Sequence, residues 1–199
     1  MSASENARLE ITVVMDADAI GMAIRRIAQE IVADNPDVDS LALLGILSRG
    51  RPLADRIAGQ IAGMVGQKPR VGSLATTLYR DDLRSGRMPS DMSGIASRAT
   101  HFDFDVDGVT VVLVDDVLST GRTVRAALDE VMDYGRPRRI QLAGLVDRGL
   151  RELPIQADYL GWSLATSPHD HVSVKLAETD GEDAVLLERR SPEATGGTD

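Results

Sequence analysis

A chain of 199 residues, 43% hydrophobic and 27% charged, holds enough apolar material for one globular domain and is too apolar for a disordered segment. Its formal net charge of −9 argues against broad, sequence-independent attraction to nucleic acid, although a local basic patch stays open. The absence of cysteine excludes disulfides and thiolate metal sites and is compatible with a cytoplasmic protein. The opening MSASENARLE lacks a signal-peptide pattern, and no apolar run approaches membrane-spanning length.

Aromatic residues make up only 3% of the chain, so the core must be built from Val, Ile, Leu and Ala. Asp16 can cap a helix that continues through residues 19–35, in which Ile20, Ala23, Ile24, Ile27 and Ile31 form one apolar stripe before Asn35 and Pro36 end it. Residues 40–47 (SLALLGIL) predict a buried strand, SRGRP a tight loop, and residues 52–65 a second helix carrying Leu53, Ile57 and Ile61. VGSLATTLY predicts another strand, and residues 80–100 are polar and irregular, a length that inside a compact domain usually carries function. VVLV at 111–114 predicts the next strand, and residues 122–134 a helix with Val124, Ala127, Leu128 and Val131 inward, closed by Gly135 and Pro137. RIQLAGLV follows as a buried strand, then ADYLG, HVSVKL and DAVLLER as three shorter ones, and the tail SPEATGGTD is predicted to be disordered. Strands alternating with helices predict an α/β fold around a mostly parallel sheet, as a single domain over 1–190 with residues 191–199 as a tail.

In such sheets ligands bind beyond the carboxyl ends of the strands. The stretch VVLVDDVLSTGRT, 111–123, lies at such an end, so Ser119, Thr120, Gly121, Arg122 and Thr123 precede or open a helix. Backbone N–H groups and the helix dipole there suit a phosphate, and Gly121 lets the backbone come close. Two carboxylates do not belong beside a phosphate, so Asp115 and Asp116 must meet another part of the ligand. Paired ribose hydroxyls fit, and the expected ligand is a 5-phosphorylated ribose. The alternative is a strand end with a fortuitous acid pair followed by a capped helix.

This stretch, with Val117 and Leu118 in its middle, resembles the PRPP-binding motif of the type I phosphoribosyltransferases. Two further segments fit the same chemistry. Ser48, Arg49 and Gly50 offer backbone donors and a cation at a second strand end, and in the resembled superfamily this loop holds pyrophosphate. TLYRDDL places Tyr79, Arg80 and Asp81 where the superfamily has a loop that closes over the sugar and excludes water; read alone, it is equally a solvated strand end.

RIAQEI, TLYRDDL, VDDVLSTGRTVRAALDEVMDYGRP, IQLAGLVDRGLRELPIQADYLG and DGEDAVLLER together resemble the PyrR family of pyrimidine operon attenuation regulators that are also uracil phosphoribosyltransferases. The resemblance implies a phosphoribosyltransferase core with a small hood, partly from 147–190. It also implies Mg²⁺-dependent transfer of ribose 5-phosphate from PRPP to uracil giving UMP, and dimers or larger assemblies. It makes Asp115, Asp116 and Arg80 the catalytic candidates, with Arg49 and Arg80 neutralising the leaving group. Arg148 and the backbone near Val172 are candidates for the base; Arg148 could equally pair with Asp147 or Glu152.

The family's second activity is binding a leader RNA through a basic face, for which this chain keeps Arg26 and Arg151. Elsewhere positive charge is lost: Gln29 and Leu150 stand where the family has histidine, Gln156 where it has arginine, and Trp162 where it has lysine. RNA affinity should fall accordingly. Trp162 could stack on a base or lie in a protein interface, and Leu150 and Trp162 could form an apolar patch against another subunit. Ser119 replaces a common tyrosine and Ser48 a threonine, both compatible with anion binding. His101, His169 and His171 show no familiar metal spacing, and RPRR at 136–139 predicts a solvated turn. Three functions compete: an active enzyme, an RNA-binding regulator, and a diverged nucleotide or PRPP sensor acting through a protein partner.

Overall fold

The computed structural model describes residues 8–75 and 100–191. Its centre is a five-stranded sheet in the order β3-β2-β4-β5-β6, made of β2 (Leu41–Ile46), β3 (Arg70–Leu74), β4 (Thr110–Leu118), β5 (Arg139–Asp147) and β6 (Tyr159–Ser163), every neighbouring pair parallel. Parallel strands need crossovers, and helices α1 (Ala17–Asp34), α2 (Gly50–Val65) and α3 (Arg122–Tyr134) lie across the two faces.

The near-continuous apolar runs of β2 and β4 follow from burial on both faces. Leu41 and Leu43 share a core with Ile20, Ile24 and Ile27 of α1 and Leu53, Ile57 and Ile61 of α2. Leu44 and Ile46 turn the other way, onto Val124, Ala127 and Val131 of α3. Val112 and Val114 divide from Val111 and Leu113 in the same manner, the two-residue period of a strand.

Asp16 caps α1 by accepting the Ala19 N–H at 2.9 Å, and the Asn35 N–H closes the helix on the Ile31 carbonyl at 2.9 Å. The Asn35 amide is buried. It donates to Gln141 Oε1 at 3.0 Å and Tyr159 Oη at 3.2 Å, while Gln141 Nε2 donates to the same phenol at 2.7 Å. This cluster ties α1 to β5 and β6 at the amino end of the sheet, and burial pushes the Tyr159 phenol up to about 12.

A second sheet stands over the carboxyl end. It is antiparallel, in the order β1-β8-β7, from β1 (Arg8–Met15), β7 (His171–Lys175) and β8 (Ala184–Ser191), with the short helix α4 (Ala177–Asp180) between the last two. The C-terminal strands are those expected of a hood, but β1 was not anticipated from sequence. Its apolar alternation, Leu9, Ile11 and Val13, faces outward at 51, 55 and 60% exposure. β4 runs four residues beyond the expected VVLV strand and so carries Asp115 and Asp116 within it, β2 is one residue shorter at each end than expected, α2 starts two residues earlier, and β3 is described only to Leu74, with the rest of that predicted strand beyond Ala75 outside the described residues. His169 sits in the turn before β7, and His171 opens the strand.

Candidate active site

Two strand-to-helix turns meet at the carboxyl end of the sheet. The first joins β4 to α3. Asp115 is buried, at 6% exposure, and its Oδ1 accepts the Asp116 N–H at 3.0 Å, which fixes the orientation of one carboxylate against the next residue. The chain then bends through Ser119, Thr120 and Gly121. Gly121 has φ 93°, a left-handed conformation that a side chain strains, and it caps α3. The Thr120 carbonyl accepts the N–H groups of Glu152 and Leu153 at 3.0 and 3.1 Å. Thr120 Oγ1 accepts the Arg122 N–H at 3.2 Å. Asp115, Val117, Leu118, Ser119, Thr120, Gly121 and Thr123 line one small cleft. Of the sequence-predicted members of this turn, Asp116 is not among the residues lining the cleft, and Arg122 turns to Glu152, with Nε to Oε2 at 2.7 Å.

The second turn joins β2 to α2. The Leu47–Ser48 peptide is cis, Ser48 is exposed, and the Leu47 N–H donates to the Leu74 carbonyl at 2.9 Å. Gly50 opens α2 directly against the neighbouring strand: a Cβ there would collide with the Val114 carbonyl oxygen. Glycine at 50 is therefore a condition for bringing the Ser48–Arg49 turn alongside the acid pair of β4.

Arg49 itself reaches into the hood. Its Nε donates to Asp180 Oδ2 at 3.2 Å and its Nη2 to Asp180 Oδ1 at 2.8 Å. These bonds raise the Arg49 pKa and hold Asp180 down at about 2, and Asp116 lies near enough to add attraction. Seven residues further along, Arg56 engages Glu178 and Asp183 together, with Nε to Glu178 Oε1 at 2.7 Å and Nη1 to Asp183 Oδ2 at 2.8 Å. Sequence reasoning missed this acidic set. The run ETDGED was its signal, but nothing in the sequence says which arginines it meets.

Arg148 follows β5. Its Nη2 donates to the carbonyls of Ser167 and Asp170 at 3.1 and 2.7 Å and its Nε to Thr166 Oγ1 at 3.2 Å, while burial lowers its pKa. The ion pairs considered for it from sequence go elsewhere: Asp147 pairs with Arg151 and Glu152 with Arg122. Arg148 shapes the loop that enters β7, where Val172 is buried in the core.

The two arginines singled out for RNA are both engaged internally. Arg26 Nη2 donates to the Leu160 carbonyl at 2.8 Å and to the Gly161 carbonyl, covering the outer edge of β6. Arg151 donates from Nε to the Ile155 carbonyl at 2.7 Å, from Nη1 to the Ser119 carbonyl at 2.5 Å, and from Nη2 to Asp147 at 2.6 Å. It braces the β4–α3 turn through the Ser119 carbonyl. Trp162 is 50% exposed. Tyr79, Arg80 and Asp81 lie outside the described residues.

Among the described residues no group of three or more His, Asp or Glu side chains could hold a metal. The hard oxygens of Asp115 and Asp116 nonetheless suit Mg²⁺, which commonly takes one or two carboxylates and completes its shell with phosphate and water. Also among the described residues, no helix is long and apolar enough to cross a membrane.

A parallel sheet with two anion-competent turns side by side, one carrying an acid pair, defines the phosphoribosyltransferase class. Residues 11–179 match the family described as phosphoribosyl transferase domain, and the chain belongs to it. Solved structures agree on the fold. The hypoxanthine phosphoribosyltransferase of Trypanosoma cruzi superposes with a TM-score of 0.66 over 90% of this chain and 97% of that one, at 18% identity. A hypoxanthine-guanine phosphoribosyltransferase of Leishmania tarentolae in complex with GMP gives 0.66 over 90% and 97%, at 17%. Within the family the chain belongs to the PyrR proteins. It is 52% identical to the bifunctional protein PyrR of Clostridioides difficile over 87% of this chain and 96% of that one, and 53% identical to that of Thermus thermophilus over 89% and 95%.

Proposed function

We propose that the protein transfers ribose 5-phosphate from PRPP to uracil, releasing diphosphate and forming UMP. The observation that carries this reading is the contact of Gly50 with the Val114 carbonyl, which sets the Ser48–Arg49 turn beside Asp115 and Asp116. A ligand with an anion at each end and hydroxyls between matches that spacing of parts.

In this reading the backbone of 119–123 and the hydroxyls of Ser119, Thr120 and Thr123 hold the 5-phosphate at the start of α3. Asp115 and Asp116 accept hydrogen bonds from the ribose hydroxyls and favour the positive charge that grows on the ring. Ser48, Gly50 and Arg49 take the diphosphate, aided by Arg80. The bond from the anomeric carbon to diphosphate oxygen breaks as the bond to the base nitrogen forms, and the nitrogen's proton is lost. Mg²⁺ bound with PRPP would supply charge neutralisation on the diphosphate, with Asp115 and Asp116 as the carboxylates within reach. The base lies between the end of β5 and the backbone of β7 near Val172, on the loop that Arg148 organises.

The test is nucleotide formation from PRPP and a panel of bases with and without Mg²⁺. Turnover with uracil is expected; no nucleotide with any base overturns the reading. The relatives' name, bifunctional protein, favours a second activity, and binding of a pyrimidine leader RNA is the one to test. The internal bonds of Arg26 and Arg151 support weak binding, checked by titrating leader RNA at several salt concentrations. A steep salt slope with tight binding would restore a full regulatory face. The assembly, proposed to be a dimer or larger, is read by light scattering.

A further inference from the structure

The hood carboxylate Asp180 is unusually well fixed for a side chain on a four-residue helix. Its Oδ2 accepts from the Leu176 N–H at 2.9 Å and from Thr179 Oγ1 at 2.9 Å, in addition to Arg49 Nε. Arginine is a long, rotamer-rich side chain whose planar fork presents donors on two edges. The pair with Asp180 takes the Nε–Nη2 edge. Among the described residues nothing bonds to Arg49 Nη1. Arg49 follows Ser48 in the turn beside β4, and it feels the charge of Asp116.

We propose that Asp180 is a positioning residue: it clamps one edge of the Arg49 guanidinium so that the Nη1 end is presented, pre-oriented, to the leaving diphosphate. Hood and diphosphate turn are thereby coupled, and the residue that receives the leaving group is set from 131 positions away in sequence. An arginine held this way loses less freedom on meeting its anion than one that must be ordered by the ligand. The opposite possibility, a carboxylate that withholds Arg49 from the ligand, makes the opposite prediction.

The inference rests on the phosphoribosyltransferase reading, and the experiment separates the two. Wild type, Asp180→Asn and Arg56→Gln are assayed with PRPP and uracil, and product inhibition by diphosphate and by UMP is measured for each. Asp180→Asn is expected to raise the KM for PRPP and the inhibition constant of diphosphate about tenfold, leaving the inhibition constant of UMP within about twofold. Asp180→Glu should recover part of the loss. Arg56→Gln, which opens the neighbouring clamp, is expected to change the diphosphate and UMP constants together if at all. Tighter diphosphate binding in Asp180→Asn, no change, or equal weakening of diphosphate and UMP overturns the proposal. An inactive wild type overturns the enzymatic reading instead, and direct calorimetry of Mg²⁺-diphosphate binding to wild type and Asp180→Asn then decides the positioning role by the same tenfold criterion.

Discussion

The two turns at the carboxyl end of the sheet share a topology and differ in what holds them. The β4–α3 turn is braced by the loop that follows β5, through the backbone of Glu152 and Leu153 and the guanidinium of Arg151 on the Ser119 carbonyl. The β2–α2 turn rests on a glycine crossing at Val114 and on an ion pair to the hood. One turn is a cradle held within the layer of the central sheet, by the loop between β5 and β6. The other depends on a separate layer of the molecule, so its side chain can be set or released without unfolding the cradle.

The largest effect is expected at the acid pair. Asp116→Asn should lower turnover about a hundredfold or more with the far-UV spectrum and melting temperature nearly unchanged, because in the proposed reading it removes the charge that faces the ring, and Asp116 belongs to neither apolar core. Unchanged turnover would remove the ribose role and leave the first turn as a phosphate cradle only. Next comes Gly50→Ala. The added methyl group meets the backbone of β4, which cannot give way as a side chain would, and a loss of roughly 1–3 kcal/mol is expected from denaturant unfolding, with weakened PRPP binding. Retained stability and affinity would show that the second turn tolerates displacement.

Arg151→Met tests the cradle's bracing. The thioether keeps much of the length and loses all three sets of donor bonds. The KM for PRPP should rise about tenfold, with a smaller fall in kcat, since the bond it removes is to the Ser119 carbonyl rather than to the ligand. A pure kcat effect would place Arg151 in the chemistry itself.

The smallest effect is electrostatic. Asp180 is held at about 2, and Asp183 and Glu178 are also depressed by Arg56. Their folded-state values lie below those of unfolded carboxylates, about 4. The stability they contribute is therefore fully present above that value and is lost as pH falls from about 4 toward 2. These pairs are partly exposed, so each is expected to supply less than about 1 kcal/mol. Unfolding midpoints measured between pH 5 and 2.5 should fall more steeply for wild type than for Arg56→Gln. Parallel curves would show that the hood is held by its apolar face alone.

Much of this was legible in sequence where the signal is local. The stripe Ile20, Ile24, Ile27, Ile31 follows helical spacing, Asp16 precedes it as a cap, and the run VVLV needs burial on both faces. The acid pair and STGRT were legible too, because a strand end followed by a helix start can be read in one short stretch. β1 escaped because its alternating apolar residues face outward in the monomer, so no contact explains them. The partners of Arg148 were not legible for a different reason. Its sequence neighbours Asp147 and Glu152 offered obvious partners, yet carbonyls some twenty positions on are nearer in space.

By itself the sequence determined the α/β class and the family and marked two strand-to-helix turns as candidates, since helix and strand periodicities and short motifs are read along the chain. Only the tertiary structure decided that Arg49 meets Asp180, that Arg26 and Arg151 bond to backbone, and that Gly50 lies on Val114. Those are contacts between segments distant in the chain. A charged side chain's partner is set by which carbonyl or carboxylate packing delivers within about 3 Å, and residue type alone does not carry that distance.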